Sequence, residues 1–105
     1  MGLNKKWSQQ VILSRERYLV KAVKEGNIFN ELQWPLFDIG DDVTNKDFSR
    51  NGRITNVYCT EAHVKVIVVD GGGRDLSMEP WWSYVVEWED GEIDHSNRGF
   101  NLRED

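Results

Sequence analysis

Ser83-Tyr84-Val85-Val86-Glu87-Trp88-Glu89-Asp90-Gly91-Glu92-Ile93-Asp94 is the stretch on which the fold turns. Tyr84, Val86 and Trp88 alternate with Val85 and Glu87, the period-2 pattern of a strand with one face buried. Glu89-Asp90-Gly91-Glu92 then supplies a tight turn, because Asp-Gly tolerates the positive φ that hairpin turns require. Ile93 begins the return strand. A lone hairpin is unstable in water, so this one belongs to a larger sheet that the rest of the chain must supply.

Outward from the hairpin, the segments from Pro35 onward read as short strands between turn clusters. Phe37-Asp38-Ile39-Gly40-Asp41-Asp42-Val43 reads as a turn followed by a strand through Val43, and Asn45–Asn51 as a polar link anchored by Phe48. Asn51-Gly52 reads as a turn into a strand over Arg53–Tyr58, and Thr60-Glu61 as a bend before a strand over residues 63–69. That last strand is β-branched on both faces, which predicts cover on both sides. Asp70–Asp75, with Gly71-Gly72-Gly73, reads as a flexible loop. A turn at Asn97–Gly99 and a last pairing near Phe100–Leu102 close the chain. Five short antiparallel strands point to a small barrel.

Before the strands, residues 8–25 predict a helix. Ser8 is the N-cap and Trp7 is placed to staple onto Ile12. Gly26 stands at the position past the helix end where positive φ is needed. Val11, Ile12, Tyr18, Leu19, Ala22 and Val23 fall on one broad stripe, interrupted by Arg15, which would pack on the sheet and cover the 63–69 strand. Leu13 and Val20 lie together on the opposite side, a second surface that suggests a homodimer through the helix; the alternative is two ordinary exposed apolar residues. Residues 27–36 read as a short helical turn ended by Pro35, with an irregular connector pinned by Phe29 and Trp34 as the alternative.

At 105 residues with five Trp and 39% hydrophobic residues, the chain has enough apolar material for one core and too little for two. Residues 1–35 form a helical segment and 36–105 the barrel, together one domain. No apolar run reaches the roughly 18 residues of a membrane span, and the N-terminus has no secretion-signal pattern. The single cysteine, Cys59, excludes an internal disulfide and suits a reducing cytoplasm. Six Lys/Arg against three Glu give residues 1–35 a charge of +3, which leaves −8 for the remainder of a chain that totals −5. Such an acidic domain repels a phosphate backbone, so nucleic acid would have to be held by the N-terminal Lys5, Lys6, Arg15, Arg17, Lys21 and Lys24.

Residues 38–103 resemble the SH3-like small β-barrels of the Tudor, KOW and mind bomb repeat kind. The resemblance rests on Ile39-Gly40-Asp41-Asp42-Val43, on Gly52-Arg53-Ile54-Thr55-Asn56-Val57, on Tyr84–Trp88 running into Asp90-Gly91, and on the closing Gly99–Arg103. The Gly73–Trp82 segment is longer than such barrels usually carry, and the leading helix is not part of them. The resemblance implies a binding module without chemistry of its own.

Trp81, Trp82, Tyr84 and Trp88 beside Glu79, Glu87 and Glu89 are the candidate binding residues, because ring faces and carboxylates together attract a cationic side chain. Core filling is the competing use of those rings. Trp81 and Trp82 cannot both be buried by one sheet face, so one of them is the candidate exposed anchor. Catalysis is not expected: Cys59 and His63 lack an orienting carboxylate beyond Glu61. Neither metal nor cofactor is expected. Glu89, Asp90, Glu92, Asp94 and His95 lie along a hairpin that scatters them over two faces and lack the calcium-loop order, and the triple glycine lacks the Gly-Lys-Ser/Thr ending of a phosphate loop. The expectation is an α+β, mainly β, cytoplasmic protein-interaction module that binds a basic protein segment, with an accessory protein of a phage or mobile element as one setting. The alternative is nucleic-acid binding through the basic helix.

Overall fold

The computed structural model describes residues 6–47, 49–67 and 71–104, with the backbone alone for residues 64–67, 74 and 75. Phe48, Val68 and Val69 lie outside the described residues. One helix, α1 (Gln9–Lys24), precedes seven strands: β1 (Asp42–Asn45), β2 (Asn51–Thr60), β3 (His63–Ile67), β4 (Gly73–Ser77), β5 (Trp81–Trp88), β6 (Ile93–Arg98) and β7 (Leu102–Glu104). A 3-10 turn, Gly99–Asn101, leads into β7. The fold is α+β and mainly β.

α1 begins where Ser8, in extended conformation, accepts a hydrogen bond from the Val11 N–H. It ends in a Schellman closure: Asn27 N–H donates to Ala22 C=O at 2.9 Å, Gly26 N–H to Val23 C=O at 3.2 Å, and Gly26 takes φ +68°. The buried side of the helix is narrower than the apolar stripe suggests. Val11, Tyr18 and Ala22 are buried, while Val23 is 67% exposed. Trp7 stacks on Trp34 with centroids 5.3 Å apart and packs against the core cluster that holds Val11.

β6-β5-β2-β1-β7 is the order of a five-stranded antiparallel sheet. β5 and β6 are joined by the expected turn, with Gly91 N–H donating to Trp88 C=O and Gly91 at φ +90°. In β2 the register slips between Ile54 and Asn56, so the extra residue Thr55 lets both Ile54 and Val57 reach the core although they are three apart. A second slip lies between β5 and β6.

Several expectations give way. The closed barrel is not found among the described residues: β6 and β7 are the two edges of an open sheet. The apolar face that closure would bury is covered instead by α1 and the connector after it. Val11 and Phe37 join Val43, Ile54, Val57, Tyr84, Val86, Trp88 and Leu102 in one cluster, and Tyr18, Ala22 and Leu32 form a second beside it. The connector is irregular rather than helical. Asn27 Oδ1 accepts from the Phe29 N–H, and the Tyr18 hydroxyl donates to the Phe29 carbonyl, which takes up backbone groups that a helical turn would otherwise satisfy. The described part of the predicted 63–69 strand, His63–Ile67, does not join the main sheet; it forms β3, which pairs with β4 in a separate hairpin, so Gly73–Asp75 are strand and not loop. α1 packs on β2.

Gly52 also differs from its reading as a turn residue. It lies inside β2 opposite Trp88, and a Cβ there would sit 2.8 Å from both Trp88 Cε3 and Val86 Cγ1. The missing side chain gives the indole its place.

Asp38 ties helix to sheet. It is 6% exposed; Oδ2 accepts from the Ser8 N–H at 2.7 Å and Oδ1 from the Ser8 hydroxyl at 2.6 Å. Hydrogen bonds to a carboxylate are about twice as strong as neutral ones. The cap of α1 is thereby fixed to the turn that enters β1, where Gly40 N–H donates to Ile54 C=O.

Candidate functional site

The sequence candidates separate into three environments. Tyr84 and Trp88 are core side chains, 1% and 3% exposed. Tyr84 meets Phe37 edge-on at 5.6 Å, and its hydroxyl accepts from the Leu36 N–H at 2.9 Å. Burial raises the Tyr84 pKa, against the opposing pull of the Leu36 and Phe37 N–H groups. Glu79, Glu87 and Glu89 are all exposed, but only Glu79 lies with the rings, lining one groove with Trp81, Trp82 and Tyr84; Glu87 opposes Arg53 on the sheet and Glu89 stands in the β5–β6 turn. Trp81 and Trp82, at the start of β5, are half-buried on opposite faces of the sheet.

Trp82 packs against both apolar clusters and stands opposite Cys59 in the β2–β5 register, and its Nε1–H donates to the Gln33 carbonyl at 2.7 Å. It therefore pins the connector. Trp81, on the other face, carries the Arg98 guanidinium 4.4 Å from its ring centroid. Phe100 flanks the same guanidinium at 5.3 Å. The ring face that a foreign cation would need is thus already covered by a cation of this chain.

Around these residues runs an open groove of about 920 Å³, walled by the connector on one side and by Glu79–Trp82 with Arg98–Phe100 on the other. Gly99 lets the walls approach, since a Cβ there would fall 3.0 Å from Leu36 Cδ1. Three large apolar side chains stand open along it: Trp34 at 40%, Leu36 at 68% and Phe100 at 64% exposure. Arg15 reaches in from α1, its guanidinium 4.5 Å from the Trp34 centroid and its Nε–H donating to the Leu32 carbonyl at 2.9 Å. Sequence reasoning missed Trp34, Leu36, Arg98 and Phe100 as site residues, and named Arg15 only among the basic residues that would hold nucleic acid. Only the Trp34-Pro35 step, an aromatic next to a chain-stiffening residue in a stretch without periodicity, carried a local signal.

A third arginine–tryptophan stack lies at the β5–β6 turn. Arg50 sits 4.6 Å over Trp88 and donates to both carboxylate oxygens of Asp90 at 3.0 Å, with Glu92 at 3.5 Å. The Glu92 N–H and then the Arg50 guanidinium hold the Asp90 carboxyl below the usual aspartate range.

Cys59 has the surroundings of a packing residue. Burial first, and the charge of Glu61 second, push its thiol from 9.0 up to about 11, which disfavours the thiolate a nucleophile needs. Among the described residues no three His, Cys, Asp or Glu side chains come together as metal ligands, and no helix is long and apolar enough to cross a membrane. Leu13 and Val20 are exposed at 44% and 68% on a helix face shared with Glu16, Arg17 and Lys24. Set against protein-family models, curated proteins and solved structures, the chain matches none of them.

Proposed function

We propose that the protein is a non-catalytic protein-interaction module of SH3-like kind and that the groove between Trp34 and Trp81 receives an extended segment of its partner. The observation that carries this reading is that Trp34, Leu36 and Phe100, three large exposed apolar side chains, line one concave groove. Apolar surface of that shape gains from being covered, by about 25 cal/mol per Å² removed from water. The antiparallel strand order, with β7 returned beside β1, supports the resemblance to small barrels.

The ligand differs from the basic segment that composition suggests. A cationic side chain would compete with Arg98 for Trp81 and with Arg15 for Trp34. Nucleic-acid binding through the helix is the second reading, and it has less support. Lys21 is drawn to Glu61 at 3.5 Å, and the exposed Leu13 and Val20 interrupt the basic face.

Selection of peptides from a phage-displayed random library on the immobilised full-length chain tests the proposal. Enriched peptides should bind the wild type and lose affinity on Phe100→Ala and on Leu36→Ala, while Leu13→Ala leaves binding unchanged. Failure to enrich any peptide, or binding indifferent to Phe100 and Leu36, would remove the groove as the site of function.

A further inference from the structure

We propose that the groove selects its partner segment by a carboxylate, an Asp or Glu side chain set among apolar residues, which Arg98 and Arg15 receive on their tryptophan supports; the inference rests on the groove being the binding site. The chain contains its own worked case of this arrangement. The Arg50 guanidinium lies over Trp88 at 4.6 Å, and its Nη2 donates to both carboxylate oxygens of Asp90 at 3.0 Å. Arg98 on Trp81 and Arg15 on Trp34 repeat the stacking half at 4.4 and 4.5 Å. Neither completes it. Among the described residues the Arg98 guanidinium has no hydrogen-bond or ion-pair partner, and Arg15 spends only its Nε–H, on the Leu32 carbonyl.

The groove also contains Glu31 and Glu79, but neither is paired with Arg15 or Arg98. A guanidinium offers five donors in a fixed fork that matches a carboxylate, and stacking on an indole already restricts the side chain, so less freedom is lost when a ligand arrives. The aromatic supports keep one flat side of each fork out of water, which strengthens a charge-assisted bond formed at its edge. A protein segment suits these donors better than a nucleic acid. With the chain at −5 overall, and Glu31 and Glu79 in the groove itself, a repeating phosphate backbone meets repulsion along its length. A single carboxylate between apolar side chains meets that repulsion at one point only, where the two guanidinium groups offset it.

The test compares each library-selected peptide with a twin in which its Asp or Glu is replaced by Asn or Gln, using fluorescence anisotropy on the full-length wild-type protein. We expect selected peptides to carry an acidic residue, and their amide twins to bind at least about tenfold more weakly, the range of a charged hydrogen bond. Arg98→Gln should weaken the acidic peptide similarly and shrink the difference between acid and amide. The twin comparison leaves the protein unaltered, so a folding defect in Arg98→Gln does not affect it. Peptides enriched without any acidic residue, or twins of equal affinity, would overturn the carboxylate inference and leave the groove as a binding site. Displacement of the peptide by oligo(dT) at physiological salt would overturn it in favour of nucleic acid. A library that yields no binder would remove the underlying reading and this inference with it.

Discussion

Gly52→Ala is the substitution that best separates a strand glycine from a turn glycine. An ideal Cβ at position 52 falls 2.8 Å from Trp88 Cε3, 2.8 Å from Val86 Cγ1 and 2.9 Å from the Glu87 carbonyl oxygen. The first two atoms belong to side chains 3% and 0% exposed, and the third belongs to the β5 backbone, which no rotamer change can move. Relief therefore needs the indole to shift under Arg50 or the β2–β5 ladder to part. Overpacking of this kind costs about 1–3 kcal/mol. Against it stands about 0.4–1 kcal/mol gained because alanine has less freedom to lose from the unfolded chain. The net expectation is a loss of about 1–2 kcal/mol, or roughly 5–15 °C in Tm for a domain of this size. Urea unfolding followed by tryptophan fluorescence at 25 °C should show a lower midpoint with an unchanged m-value. Gly52→Asn should be worse than Gly52→Ala, since it adds a polar group against Trp88. At Gly91 the order reverses: φ is +90° and the space for a Cβ is empty, so Asn, which tolerates left-handed backbone, should cost less than Ala. A Gly52→Ala protein as stable as the wild type, or a Gly52→Asn protein more stable than Gly52→Ala, would refute the packing argument.

Tyr84→Phe keeps the ring against Phe37 and removes only the acceptor of the Leu36 N–H, so stability should fall by about 1–2 kcal/mol, measured by the same urea titration. The alkaline limb of stability should depend on Cys59. Its folded-state pKa is raised from 9.0 to about 11, so the folded protein holds that proton more tightly, and the associated stability is complete below about pH 9 and lost as pH rises towards 11. Tyr18 and Tyr84, both raised, add loss of the same sign above pH 10. Cys59→Ala should therefore flatten the dependence of the urea midpoint on pH between 9 and 11, whatever its packing cost at pH 7. Equal slopes for the two proteins would contradict this assignment.

The groove was hard to read from sequence for a reason that Arg50, Arg15 and Arg98 make clear. Each guanidinium rests on a tryptophan distant along the chain, Trp88, Trp34 and Trp81 respectively. No spacing rule links such pairs; only the sheet register and the path of the connector bring them together. The Trp81-Trp82 junction was more legible, because alternation along a strand sends neighbouring side chains to opposite faces. Which of the two would be drawn into the core was not, since that depended on where α1 came to lie.

Sequence alone determined the features whose physics is local. The cap at Ser8, the stop at Gly26, the buried run Tyr84-Val86-Trp88 and the turn at Asp90-Gly91 each rest on residues within one or two turns of one another. Tertiary structure decided the rest: the open sheet in place of a barrel, the separate β3–β4 hairpin, the bulge at Thr55 and the role of Gly52. In each of these the deciding contact joins segments far apart in the chain, and period-2 alternation is the same whether a strand's apolar face is covered by another sheet layer or by a helix. Here Val11 of α1 and Phe37 of the connector cover it.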